Sequence, residues 1–261
     1  MADFLDFLAR DSKATCESGY YRADLSGRGK RHEKLSLKES VLKCTNDAII
    51  AEIKRSSPSV GVMMKVADAK SFSSAAERGG AAGISVLTEP RHFGGSLCDL
   101  MLVRESASVP LLMKDIIVDR TQVDAASRIG ADAVLLIQTV FERRYADCSL
   151  EDMIDYVHSK RMEVLLEVHT KEEFRTAIGL DVDLVGINNR DLRTLKVDLR
   201  TTEWILMEHE GLERVVVSES GIRSRADVLF LRSVGAKAFL VGTAIMLAGN
   251  VEMKVRELAG A

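Results

Sequence analysis

Apolar residues gather along the chain into eight short, nearly continuous runs, at residues 48–54, 83–89, 110–114, 132–138, 163–167, 182–188, 214–219 and 237–242. Strands of a parallel sheet, covered on both faces, read in this continuous way, whereas a one-sided antiparallel strand alternates. Between the runs lie amphipathic stretches of helical length, at 66–78, 96–108, 119–129, 149–160, 171–178, 199–209, 224–234 and 244–258. Several open on Ser or Asp and stop before Gly, which are cap signals. The joints Gly80-Ala-Ala-Gly-Ile84, Gly130-Ala-Asp-Ala-Val134 and Gly235-Ala-Lys-Ala-Phe239 repeat a glycine turn between helix and strand. Such alternation predicts an α/β fold. From residue 48 onward about 27 residues remain for each of eight units, which suits a single (β/α)8 TIM barrel, residues 48–261, better than an open doubly wound sheet. Residues 1–47 form an N-terminal helical extension packed on the barrel, with helix-like pieces at 3–16 and 37–43.

Several runs end on a polar residue, where a parallel β/α barrel builds its active site. Glu52 and Lys54 are two apart on the first strand, so both side chains point to one side, and the desolvation cost of two charges there favours function over a structural ion pair. The following Arg55-Ser-Ser-Pro-Ser-Val-Gly61 suits a lid or ligand-contact turn. Lys114 ends the third strand and Glu167 the fifth, so an ammonium and a carboxylate converge. Burial is expected to lower the pKa of Lys114 and raise that of Glu167 toward working pH. Arg190, after the sixth strand, can bind phosphate or carboxylate through paired hydrogen bonds. Ser218-Glu-Ser-Gly-Ile222 and Val241-Gly-Thr-Ala244 supply turns after strands seven and eight, where barrels hold phosphate on backbone N–H groups. Glu89 and Gln138 also end runs but receive no role, the five histidines read mostly as surface residues, and Gly27-Arg-Gly-Lys-Arg-His32 reads as a surface loop.

Composition narrows the chemistry. With 46% hydrophobic residues among 261, the chain can bury one large core, and its mixed charges, net −3, give no field for nucleic acid. No apolar run approaches membrane-spanning length, and the acidic start is unlike a secretory signal, so a cytoplasmic protein is expected. Cys16, Cys44, Cys98 and Cys148 lie far apart without Cys-x-x-Cys or zinc-ligand spacing, which predicts neither disulfide nor metal. No P-loop, dinucleotide fingerprint or Ser-His-Asp order is present, which favours a cofactor-free reaction on a phosphorylated small molecule.

Four motifs together, Ala51-Glu-Ile-Lys-Arg-Ser-Ser-Pro-Ser-Val-Gly61, Leu112-Met-Lys-Asp115, Gly186-Ile-Asn-Asn-Arg-Asp-Leu192 and Ser218-Glu-Ser-Gly-Ile222, resemble indole-3-glycerol-phosphate synthase in order and strand position. The resemblance implies conversion of 1-(2-carboxyphenylamino)-1-deoxyribulose 5-phosphate to indole-3-glycerol phosphate, carbon dioxide and water, with no cofactor or metal. It casts Lys114 as general acid in ring closure and Glu167 as acid or base. Glu52 and Lys54 assist positioning and dehydration, while Asn188, Glu219 and Ser220 orient hydroxyls and the intermediate. It puts phosphate near Gly221, Gly242 and Thr243, with Lys54 and Arg190 as charged contacts, and Ser57, Pro58, Phe93 and Leu192 around the arene and its carboxylate. Ile116 and Val60 depart from the family's usual Phe and Lys. An isomerase acting on phosphoribosylanthranilate suits a Cys/Asp pair at strand ends, and no Cys ends a strand here; a non-catalytic phosphate-binding barrel has no need of the Lys/Glu set. A monomer is expected.

Overall fold

A computed structural model describes residues 3–22, 33–57, 61–62, 69–209 and 211–261, with residues 57, 61 and 62 through their backbone alone. Eight parallel strands, β1 (Ala48–Ile53), β2 (Gly83–Leu87), β3 (Leu111–Lys114), β4 (Ala133–Ile137), β5 (Glu163–Val168), β6 (Leu184–Asn188), β7 (Val215–Glu219) and β8 (Ala238–Val241), pair in chain order. The ring closes where β8 pairs with β1, Ala48 opposite Ala238 and Ala51 opposite Val241. Nearly every strand residue is buried, so the continuous apolar runs are strands packed between the barrel interior and outer helices.

The helices are α1 (Phe4–Glu17), α2 (Leu37–Lys43), α3 (Ala69–Arg78), α4 (Leu97–Arg104), α5 (Arg120–Ile129), α6 (Gln138–Glu142), α7 (Leu150–Ser159), α8 (Lys171–Ala177), α9 (Arg200–Leu206), α10 (Arg225–Ser233), α11 (Thr243–Met246) and α12 (Val251–Ala259). Gly80, Gly130 and Gly235 have φ of 91°, 100° and 110°, the left-handed turn their joints require. Two elements differ from the pattern. The single helix expected over 244–258 is broken into α11, which ends at Met246, and α12, whose separate start is capped by the Asn250 side chain, accepting from Met253 N at 3.0 Å. Gln138 does not end β4 but opens the unforeseen α6 and donates to Glu142 at 2.8 Å.

The segment before β1 touches both ends of the barrel. At the amino-terminal end, Leu37 of α2 is fully buried and occupies space that a Cβ on Gly83 would need, and Lys38 N donates to Glu163 at 3.0 Å. At the carboxyl end, Ser12 of α1 donates to Ile116 O at 2.6 Å, and Arg143 and Tyr145 bind Asp6 at 2.7 and 2.9 Å. Tyr21 reaches the buried Asp115 carboxylate at 2.9 Å, which also accepts from Thr88 at 2.5 Å. Helix α1 thereby lies across the mouth, anchored to the loops after β3 and β4.

The amino-terminal end has its own buried ion pair. Arg104 donates to Asp132 at 2.8 Å, and the same carboxylate accepts Leu111 N and Leu35 N, each at 2.9 Å, so it joins α4, β3 and the approach to α2. Removing one partner of such a pair leaves the other charge uncompensated. Asp132→Ala is expected to cost about 3–5 kcal/mol in chemical denaturation. Turnover of the folded variant stays near wild type, because the pair lies at the end of the barrel away from the mouth.

Candidate active site

The strand ends meet over the mouth. Lys114, closing β3, extends its ammonium to Glu167 Oε2 on β5 and Glu219 Oε2 on β7, each at 3.0 Å. Asn188, closing β6, donates to Glu167 Oε1 at 3.0 Å and accepts Arg190 N at 3.0 Å, so its amide is fixed at both ends. On β1, Glu52 and the following Lys54 pair at 2.8 Å, on one side as their two-residue spacing requires. Lys114 does not pair with the adjacent Asp115, which is turned toward Tyr21 and Thr88.

Three carboxylates here face two ammoniums, and that imbalance governs the protonation. Burial pulls the Lys114 pKa down, but Glu167, Glu219 and Glu52 more than offset it, so the lysine titrates above its ordinary range. Burial raises Glu167, yet Lys114, His169 and Asn188 together hold it well below the usual carboxylate range. Both directions are the reverse of those expected from burial alone, because neighbouring charges outweigh desolvation. Glu219 carries the excess: burial, then Glu167 and Glu52 against the opposing pull of Lys114, push it up to about 7. Its Oε1 is buried without a hydrogen-bond partner among the described residues.

Two glycines make room for these acids. A Cβ on Gly186 would stand 2.2 Å from Glu219 Oε1, and one on Gly242 would stand 2.4 Å from Glu52 Oε1. Ser220 and Gly221 form the turn after β7 with φ of 67° and 86°; the left-handed Ser220 is held by Asn189, which donates to Ser220 O at 3.2 Å and Glu219 O at 2.9 Å. Asn189 in turn accepts from Thr202 at 2.8 Å. The sequence reading assigned this asparagine no role.

The charged cluster floors a cavity of about 190 Å³. Phe93, Arg190, Leu192, Ser220, Gly221, Gly242 and Thr243 line it, and so does Ile116. Arg190 is half-buried, and its guanidinium already donates to Leu195 O at 3.0 Å. Pro58, Val60 and the 27–32 stretch lie outside the described residues, as does the Ser57 side chain. At the start of that loop, Arg55 makes two hydrogen bonds to Asp99, at 2.6 and 2.8 Å, and Ser56 N donates to Phe93 O at 3.1 Å. Other contributors also went unforeseen: the α1 side chains Phe4, Leu5 and Leu8, which roof the cavity; Arg223, which lines it; and, beside Glu167 rather than in the cavity lining, His169, whose ring is 12% exposed and 3.3 Å from that carboxylate. The i, i+3 apolar spacing of Leu5 and Leu8 carried a signal for the first; the i, i+2 spacing of Glu167 and His169 carried one for the last.

A buried ammonium between carboxylates, in one cavity with glycine turns at the seventh and eighth strand ends, is the arrangement a β/α-barrel enzyme needs for acid–base chemistry. The family model described as indole-3-glycerol phosphate synthase matches residues 11–258, and the chain belongs to that family of tryptophan-biosynthetic carboxy-lyases, which act on a phosphorylated small molecule. It is 40% identical over 203 residues to the indole-3-glycerol phosphate synthase of Bacillus cereus strain B4264, covering 78% of this chain and 79% of the relative. With that of Bacillus anthracis it shares 38% over 219 residues, covering 84% and 85%. Among solved structures, a thiamine phosphate pyrophosphorylase from Pyrococcus furiosus superposes with TM-score 0.59 at 18% identity, over 85% of this chain and 96% of that one. The N-acetylmannosamine-6-phosphate 2-epimerase from Clostridium perfringens gives 0.60 at 16%, over 83% and 93%. Those two speak for the fold alone. No described helix is long and apolar enough to cross a membrane.

The raised Glu219 pKa has a stability consequence. The folded protein holds this proton up to about pH 7, whereas the carboxyl's ordinary value is 4.5, so ionising it between those values weakens the fold. Glu219→Gln removes that penalty. Its stability relative to wild type is expected to rise between about pH 4.5 and pH 7 and then level off, read from urea midpoints across pH. A difference that does not change with pH contradicts the assignment.

Proposed function

We propose that the chain closes the indole ring of 1-(2-carboxyphenylamino)-1-deoxyribulose 5-phosphate, with Lys114 as general acid. The observation carrying this reading is the Lys114 ammonium at 3.0 Å from both Glu167 and Glu219, facing the cavity. Ring closure joins an arene carbon to the carbonyl carbon, and the carbonyl oxygen becomes an alkoxide. An alkoxide is a far stronger base than an amine, so an ammonium held above its ordinary pKa still yields its proton as the bond forms. The same positive charge stabilises the developing anion in a partly dry site. Departure of carbon dioxide then returns an electron pair to the ring.

Dehydration requires a proton on the leaving hydroxyl and a base for the proton lost. Glu167, held anionic, suits the base. Glu219, near half-protonation at neutral pH, suits the exchange of a proton with the intermediate. Glu52 and Lys54 assist from β1, Lys54 doubling as a charged contact. Asn188 and Ser220 orient the ribulose-derived hydroxyls. The turns at Gly221, Gly242 and Thr243, with Arg190, take the phosphate, whose remote binding energy holds the reacting carbons together. Phe93 and Leu192 border the arene with Ile116, and Ser57 and Pro58 are assigned to the same wall. The four free cysteines suit a reducing cytoplasm.

Purified protein is expected to form the indole product without added metal or nucleotide, followed by indole fluorescence. Lys114→Ala should lower kcat by about 10²–10⁴-fold while binding of a phosphorylated product analogue persists. Normal turnover in that variant removes the acid role from Lys114.

A further inference from the structure

His169 follows β5 directly and stands two residues beyond Glu167, on the same side of the strand. Its Nε2 lies 3.3 Å from Glu167 Oε1, and its Nδ1 lies 3.7 Å from Glu173 Oε2 on α8. Both ring nitrogens are hidden from solvent, and neither makes a well-aligned hydrogen bond. A neutral imidazole carries one N–H, so its other nitrogen would turn a lone pair toward a carboxylate that can only accept. The imidazolium alone presents a proton to each acid. Glu173 is fixed from behind, accepting from Thr139 at 2.6 Å and from His169 N at 2.5 Å. We propose that His169 is a positioning residue for Glu167: its imidazolium, clamped between Glu167 and Glu173, keeps the Glu167 carboxylate ionised and turned toward Lys114.

This inference rests on the role of Glu167 proposed above. The two oxygens of Glu167 are divided between the cavity and its wall, Oε2 to Lys114 and Oε1 to His169 and Asn188. Lys114 on β3, Glu219 on β7 and Glu52 on β1 supply the charges on the cavity side, and Glu173 on α8 supplies the one behind. The two acids together raise the histidine to about 9 against the opposing effect of burial, so the clamp is charged throughout neutral pH. Loss of that cation leaves Lys114 as the remaining positive neighbour of Glu167. The carboxylate then takes up a proton at a higher pH than in wild type.

The experiment compares kcat and KM across pH for wild type, His169→Gln and Glu173→Gln, with folding checked by circular dichroism. In His169→Gln, the acidic limb of kcat should move up by at least about one pH unit, with kcat reduced about tenfold or more on that limb and KM nearly unchanged. Glu173→Gln should move the limb the same way by less, and it carries the test if His169→Gln does not fold. His169→Lys, which restores a cation, should recover part of the shift. Folded variants whose kcat–pH profile coincides with that of wild type overturn the proposal. Glu167→Gln separates the two readings: full turnover in that variant removes the role of Glu167, whereas its inactivity beside an unmoved His169→Gln profile removes only the role of His169.

Discussion

The mouth of the barrel depends on one electrostatic constraint: three carboxylates and two ammoniums share a largely buried space, and their charges do not cancel. A single isolated lysine at this depth would shed its proton, and a single isolated glutamate would gain one. Interleaved, Lys114 stays charged, Glu167 stays ionised, and Glu219 is left to carry the mismatch near neutrality. Each group owes its state to the others, so the site acts as one titrating unit rather than as separate acids and bases.

Maintaining that unit shapes the backbone around it. Gly186 and Gly242 stand where any side chain would collide with Glu219 or Glu52, and Ser220 accepts a left-handed conformation secured by Asn189. These positions give up packing or conformational ease at the carboxyl end of the barrel. The opposite end shows the reverse economy, with Asp132 satisfied by Arg104 and two backbone N–H groups, and with α2 sealing the strand starts. The left-handed turn at the mouth is tolerated because Asn189 bonds the carbonyls of both Glu219 and Ser220.

Periodicity revealed the barrel because every strand is buried on both faces, which leaves a continuous apolar signature, and because Gly80, Gly130 and Gly235 mark the joints. It did not reveal the break before Asn250 or the short α6, since the first involves a side-chain cap and the second a local side-chain bond, neither of which is written in apolar spacing. That Lys114, Glu167, Glu219 and Asn188 meet over the mouth was legible from their places at strand ends. Their protonation was not: reasoning from burial alone reversed the directions for Lys114 and Glu167, because the sign is set by which charges converge from distant strands. His169 was passed over for a related reason, as its meaning comes from Glu173, a partner on the following helix.

The roof of the cavity adds a consequence for the order of assembly. Helix α1 is made before every strand of the barrel, yet its anchors lie far along the chain: Ser12 bonds Ile116, 104 positions later, and Asp6 bonds Arg143, 137 positions later. Contacts of such separation are slow to form because a long stretch of chain must be closed to make them. This helix therefore has no complete seat until half the barrel has been synthesised. The pocket acquires its lipophilic ceiling only after the strands that carry those anchors are in place.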